Sequence, residues 1–117
     1  MRVAGFGFRQ SVDLASLLDA LAQAGGTVDS VATVASKAPG LAELARHLGV
    51  PLIAVTLDDL GNQVRPGSDR VKDLYGTGSV AESAALAAAG QGARLVSARV
   101  TSADGRAVAA IAEGQGT

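Results

Sequence analysis

Two hydrophobic rhythms alternate through the first half of the chain. "RVAGF" at the start, "VDSVATVASK" around residues 31–35 and "VPLIAV" at 50–55 are apolar runs without polar alternation, the pattern of strands covered on both faces. Between them lie segments of helical period. "SVDLASLLDALAQAGG" sets Leu14, Leu17, Leu18 and Leu21 on one stripe, with Ser11 as the predicted N-cap and Gly25 as the stop. "APGLAELARHLG" repeats that spacing through Leu41, Leu44, Ala45 and Leu48, closed by Gly49 and followed by Pro51. Apolar strands separated by amphipathic helices predict parallel pairing through right-handed crossovers.

After Val55 the pattern loosens into a polar excursion with Gly, Asn and Pro, carrying Arg65 and Arg70 and expected to lie over the surface as a flap. "SVAESAALAAAG" is then a clear helix, with Ser79 as N-cap, Glu82 at the third position and Gly90 at its end. Two strand-like runs in "ARLVSARVTSADGRAVAAIAE" meet at Asp104–Gly105, a dipeptide suited to a tight hairpin. The expected fold class is α/β: a mixed sheet with parallel βα units flanked by helices, and a C-terminal antiparallel hairpin.

Composition narrows this picture. A chain of 117 residues that is 48% apolar suits a single domain over 1–117 with a real core, and 3% aromatic content means that small aliphatic side chains must fill it. A formal net charge of -1 withholds the broad positive field of a nucleic-acid binder. With no cysteine and His47 as the sole histidine, neither a thiolate nucleophile nor a metal centre is expected, and no cofactor is called for. His47 reads as a structural residue near a helix C-terminus. The sequence has neither a membrane-spanning run of roughly 20 apolar residues nor a secretory signal pattern, so a cytoplasmic protein is expected.

In an open parallel sheet, ligands bind beyond the carboxyl ends of the strands, where loops meet. Three loops qualify. "GFGFRQS" offers Gly5, Phe6, Gly7, Phe8 and Arg9; "ASKAPG" offers Lys37; "YGTGSVAE" offers Gly76, Gly78 and Ser79 at a helix start. Cations and free N–H groups there favour a carboxylate or phosphate. Each part also has a structural reading: Gly5 and Gly7 for tight strand-to-helix packing, Arg9 and Lys37 as solvated loop cations. Glu82 near a glycine loop suits acid–base work, yet its spacing from Ser79 is that of a capping box. "GFGFRQ" has Gln10 where a dinucleotide fingerprint has its third glycine, and "GTGS" lacks a P-loop lysine, so a nucleotide-binding module is the weaker alternative.

"GFGFR", "ATVASK", "LAELARHLGVPL" and "GTGSVAESAALAAAG", in that order over almost the whole chain, resemble the CobE family of cobalamin-biosynthesis proteins, equivalent to the C-terminal domain of CbiG. The resemblance implies a role in making the corrin ring, with a corrinoid or precorrin intermediate as ligand and other cobalamin-pathway enzymes as partners. CbiG proteins of that family open the ring lactone of cobalt-precorrin-5A and release acetaldehyde. They carry N-terminal regions beyond those seen here, so a stand-alone CobE-like protein that binds or carries a corrinoid is the closer expectation. A lactone hydrolase, with Glu82 assisting proton transfer, is the alternative. Gly5, Gly7, Arg9, Lys37, Gly78, Ser79 and Glu82 fall on the motif positions, and Ser83 stands where an alanine is usual.

Overall fold

The computed structural model describes residues 2–8, 12–56, 80–90 and 92–114. Within them the strands β1 (Arg2–Phe8), β2 (Ser30–Val34), β3 (Leu52–Val55), β4 (Arg94–Thr101) and β5 (Ala107–Glu113) form one sheet, in the order β3-β2-β1-β5-β4. β1, β2 and β3 pair in parallel, as their unbroken apolar runs require, and the terminal hairpin adds β5 antiparallel to β1 and β4 antiparallel to β5. The expected mixed α/β architecture is therefore the observed one. The excursion with Arg65 and Arg70 lies outside the described residues, and among those described no helix is long and apolar enough to cross a membrane.

Helices α1 (Leu14–Ala24) and α2 (Ala42–Leu48) cover one face of the sheet and α3 (Val80–Ala89) the other. Leu17 and Leu21 of α1 and Leu44 of α2 bury against Ala4, Phe6, Val31 and Ile111. On the opposite face, Ala84, Ala85 and Ala89 of α3 bury with Val3, Ala32 and Val34. Period-two alternation along β1 thus sends Val3 to one core and Ala4 and Phe6 to the other.

Three sequence-based expectations shift. Strand β1 continues beyond Phe6, because β5 pairs with it along its full length and places Gly7 opposite Val108 and Phe8 opposite Ala107. Gly5 and Phe6 lie in the strand, as "RVAGF" predicts, Gly7 and Phe8 are strand residues rather than a loop, and Phe6, fully buried, fills the core instead of facing a ligand. The N-cap of α1 is Asp13 rather than Ser11: its carboxylate accepts from the Ser16 N–H, a bond that a carboxylate makes more strongly than a hydroxyl. The segment after β2 begins as a 3-10 turn (Ala35–Leu41) before α2, since Pro39 restricts its predecessor and lacks an N–H. The stops at Gly25 and Gly49 are as expected, and Gly49 adopts the left-handed conformation that suits a residue without Cβ.

Gly5 sits beneath α3. A Cβ there would lie 2.5 Å from Ala85 N and 2.9 Å from Ala85 Cβ, and would overlap the Ala81 carbonyl oxygen. Gly114, one residue past β5, meets the backbone of Ala89 in the same way. Because Glu113 pairs with Arg2, Ala89 lies at the amino end of β1, so α3 runs antiparallel to β1 and begins at the carboxyl ends of the parallel strands. Since the obstruction is helix backbone, Gly5→Ala should cost about 3 kcal/mol, the upper end for overpacking. Urea unfolding measures it, and an unchanged midpoint would show that α3 does not depend on this seat.

Candidate functional site

The ladder between β1 and β2 pairs Val3 with Ser30, Ala4 with Val31 and Gly5 with Ala32. Beyond that point the Thr33 hydroxyl donates to the Phe6 carbonyl at 2.8 Å, inside the core, in place of a further backbone pair. β1 then follows β5 alone for two residues and ends at Phe8, while β2 turns into the 3-10 segment. This is the carboxyl edge at which open α/β sheets take their ligands.

Two of the predicted site residues meet here. The exposed Lys37 ammonium donates to the Phe8 carbonyl oxygen at 3.3 Å and stands 5.6 Å from the centre of the Phe8 ring. A cation at that distance over a ring face is attracted by the quadrupole, more so where water is partly excluded. The half-buried ring rests on the α1–α2 core by its inner side. Lys37 thus has its ammonium beside the Phe8 carbonyl and ring, with donor capacity left for an incoming acceptor, because an ammonium carries three N–H groups. Gly7, on the β1 face that carries Gly5, continues the strand edge towards the start of α3. Arg9, Gly76, Gly78 and Ser79 lie outside the described residues.

Glu82 is placed elsewhere. Its Oε2 accepts the Arg99 backbone N–H at 3.3 Å, tying the first turn of α3 to β4. β4 is two strand positions from β1, roughly 10 Å at the usual interstrand spacing. Arg99 lies in an irregular stretch, for the β4–β5 register shifts between Leu95 and Ser97 and again between Ser97 and Val100. Among the described residues, Leu95 and Val96 of this outer strand are the exposed large hydrophobic ones.

A second polar cluster forms where the hairpin meets the start of α1, and sequence reasoning missed it. Ser16 presents its N–H and its hydroxyl to Asp13 Oδ1, each at 2.9 Å, and the same hydroxyl contacts Asp104 Oδ2. Asp104 Oδ1 also accepts from the Ser102 hydroxyl at 2.5 Å and the Arg106 N–H at 3.0 Å, and Asp19 Oδ2 accepts the Ala103 N–H at 2.7 Å. The Asp13-x-x-Ser16 spacing carried the capping signal. Serine hydroxyls at Ser102 and Ser16, then the Arg106 N–H, hold the Asp104 carboxyl down at about 2, and the Ser16 N–H and hydroxyl lower that of Asp13. The protein's own carboxylates therefore occupy the start of α1. Among the described residues, no three His, Asp or Glu side chains are grouped to hold a metal ion.

Comparison with known proteins gives a consistent result. The family model described as cobalamin synthesis G C-terminus matches residues 2–112. The crystal structure of CobE, a protein from the cobalamin (vitamin B12) biosynthetic pathway, is similar at 30% identity over 96% of this chain and 89% of that one, with a TM-score of 0.71. Cobalamin biosynthesis protein chiG from Agrobacterium tumefaciens is also 30% identical, over 98% of this chain and 99% of that one, with a TM-score of 0.71. A putative cobalamin biosynthesis protein G homolog from Sulfolobus solfataricus shares the fold at a TM-score of 0.73 and 18% identity, over 99% of this chain and 37% of that one. No curated protein matches the chain.

The depressed carboxyl of Asp104 gives a signed pH dependence. Its ordinary value is 3.8 and its folded value about 2, so its contribution to stability is present above pH 3.8 and lost as pH falls through about 2. Asp104→Asn should melt below the wild type at neutral pH, with the gap closing across that acid window. Thermal unfolding in a pH series reads it, and a gap independent of pH would show that the ionised carboxylate is not the stabilising form.

Proposed function

Because the chain belongs to the cobalamin synthesis G C-terminus family, and so to cobalamin biosynthesis, we propose that it binds a corrinoid or precorrin intermediate at the carboxyl edge of its parallel strands. The observation that carries this reading is the Lys37 ammonium held against the Phe8 ring and carbonyl, where β1 leaves β2. A corrin precursor is a broad, mostly apolar macrocycle fringed with acetate and propionate groups. Such a ligand needs an apolar surface with a cation at its rim. Phe8 provides the first and Lys37 the second, with Gly7 keeping the strand edge free of a side chain. Arg9, which follows Phe8 in the sequence, is a second carboxylate partner suited to bidentate pairing.

The acidic cluster at the start of α1 favours the same placement. Asp13 and Asp104 repel a polycarboxylate, so its charged rim turns towards Lys37 rather than towards the hairpin. Binding without turnover is the reading that these residues support best. Lactone opening through Glu82 is the weaker one, because its carboxylate is engaged by the Arg99 N–H over β4.

The test is a spectroscopic titration with hydrogenobyrinic acid, whose absorption reports on its surroundings. The wild type should give a saturable change that weakens at high salt. Lys37→Ala should weaken binding about five- to tenfold, as expected for loss of one charge-assisted contact. Absence of a saturable change would overturn the binding reading, and a new product lacking a two-carbon fragment would replace it with the hydrolase.

A further inference from the structure

We propose that Gly40 is the positioning residue of this site: the absence of a Cβ there creates the seat for the Phe8 ring, and the seated ring holds Lys37 at the end of β1. The inference rests on the binding reading above for its functional consequence, but its geometric part stands separately.

A Cβ on Gly40 would lie 2.6 Å from Phe8 Cε2 and 2.9 Å from Cζ, far inside van der Waals contact. Positive φ does not explain the glycine, since Gly40 is not among the residues of that conformation. Space is therefore what requires a glycine here. Lys37 and Gly40 are three residues apart in the 3-10 segment Ala35–Leu41, and three residues make one turn of such a helix. The two positions share a face, and the Phe8 ring lies against both: its edge on Gly40 and its face beneath the Lys37 ammonium, which also reaches the Phe8 carbonyl. Ring position and ammonium position are set together. The obstructing atoms are the far end of a side chain at the end of a strand, so an added methyl turns the ring away and leaves the fold intact.

The experiment compares wild type, Gly40→Ala, Phe8→Leu and the double variant by NMR of the Lys37 side chain and by titration with hydrogenobyrinic acid. Lys37 resonances carry a ring-current shift while the ammonium stands over Phe8. Gly40→Ala should melt close to the wild type, lose that shift, and bind the pigment about threefold or more weakly, the scale of one cation–π contact. In the Phe8→Leu background, Gly40→Ala should change neither fold nor binding, because the ring it displaces is gone. If the Lys37 resonances of Gly40→Ala stay at wild-type positions, the seat is wrong. If they move while pigment binding is unchanged, the seat is real but serves no ligand, and the positioning role is overturned. A wild type that binds no pigment removes the functional role and leaves the NMR comparison to judge the seat. Should Gly40→Ala fail to fold while the double variant folds, the clash is confirmed, and a loss of binding in Phe8→Leu reports the role of the ring.

Discussion

The architecture depends on how closely α3 approaches β1. With no side chain at Gly5, the backbone of Ala81 and Ala85 settles almost onto the central strand, and Gly114 lets Ala89 do the same at the other end. This contact fixes both the height and the direction of α3. Its buried Ala81, Ala84, Ala85 and Ala89 suit that constraint, because a methyl group is small enough to fit where helix and sheet are brought so near. β1 consequently sits at the centre of every layer: β2 and β5 on its flanks, α1 over one face and α3 over the other. The strand that carries the candidate site at its end is thus paired on both sides and packed on both faces.

The charge layout at the strand ends follows from the hairpin. β5 runs back along β1 and delivers the Ser102–Arg106 turn to the start of α1, where Asp104 joins Asp13 around Ser16. Helix starts are commonly regarded as anion sites, but this one is satisfied internally. Positive charge is supplied instead from the other side of β1, by Lys37 on the turn after β2. Among the described residues, the carboxyl edge carries Asp13 and Asp104 with Arg106 at the hairpin and the Lys37 cation at the 3-10 segment.

Much of this was legible in the sequence because burial leaves a periodic trace. The leucine stripe of α1, the repeat of that spacing from Leu41 to Leu48, and the Asp104–Gly105 turn all reflect local rules that act over a few residues. Two shifts were local, the Asp13 cap and the 3-10 turn at Pro39, and the rest arose where long-range pairing decided the outcome. Gly7 and Phe8 look like a turn until β5, a hundred residues later in the chain, is laid beside them. Phe6 has the composition of a ligand contact and the alternation of a core residue, and alternation prevailed once the strand ran its full length. Gly40 was unreadable for another reason: nothing local demands a glycine there, and the ring that requires it comes from β1. Lys37 was correctly placed near the strand ends, but its hold on Phe8 depends on that same tertiary contact.

Among the described residues β4 is an edge strand, and its shape bears on how such an edge meets other chains. A straight β4 bearing exposed Leu95 and Val96 would offer another chain a ready template for strand addition, the first step towards aggregation. Its two register shifts break that template, because an incoming strand would find neither regular spacing nor a flat surface. Glu82 reinforces the effect by engaging the Arg99 N–H within the irregular stretch. A glutamate that first suggests catalysis is thereby committed to the backbone of the outermost described strand.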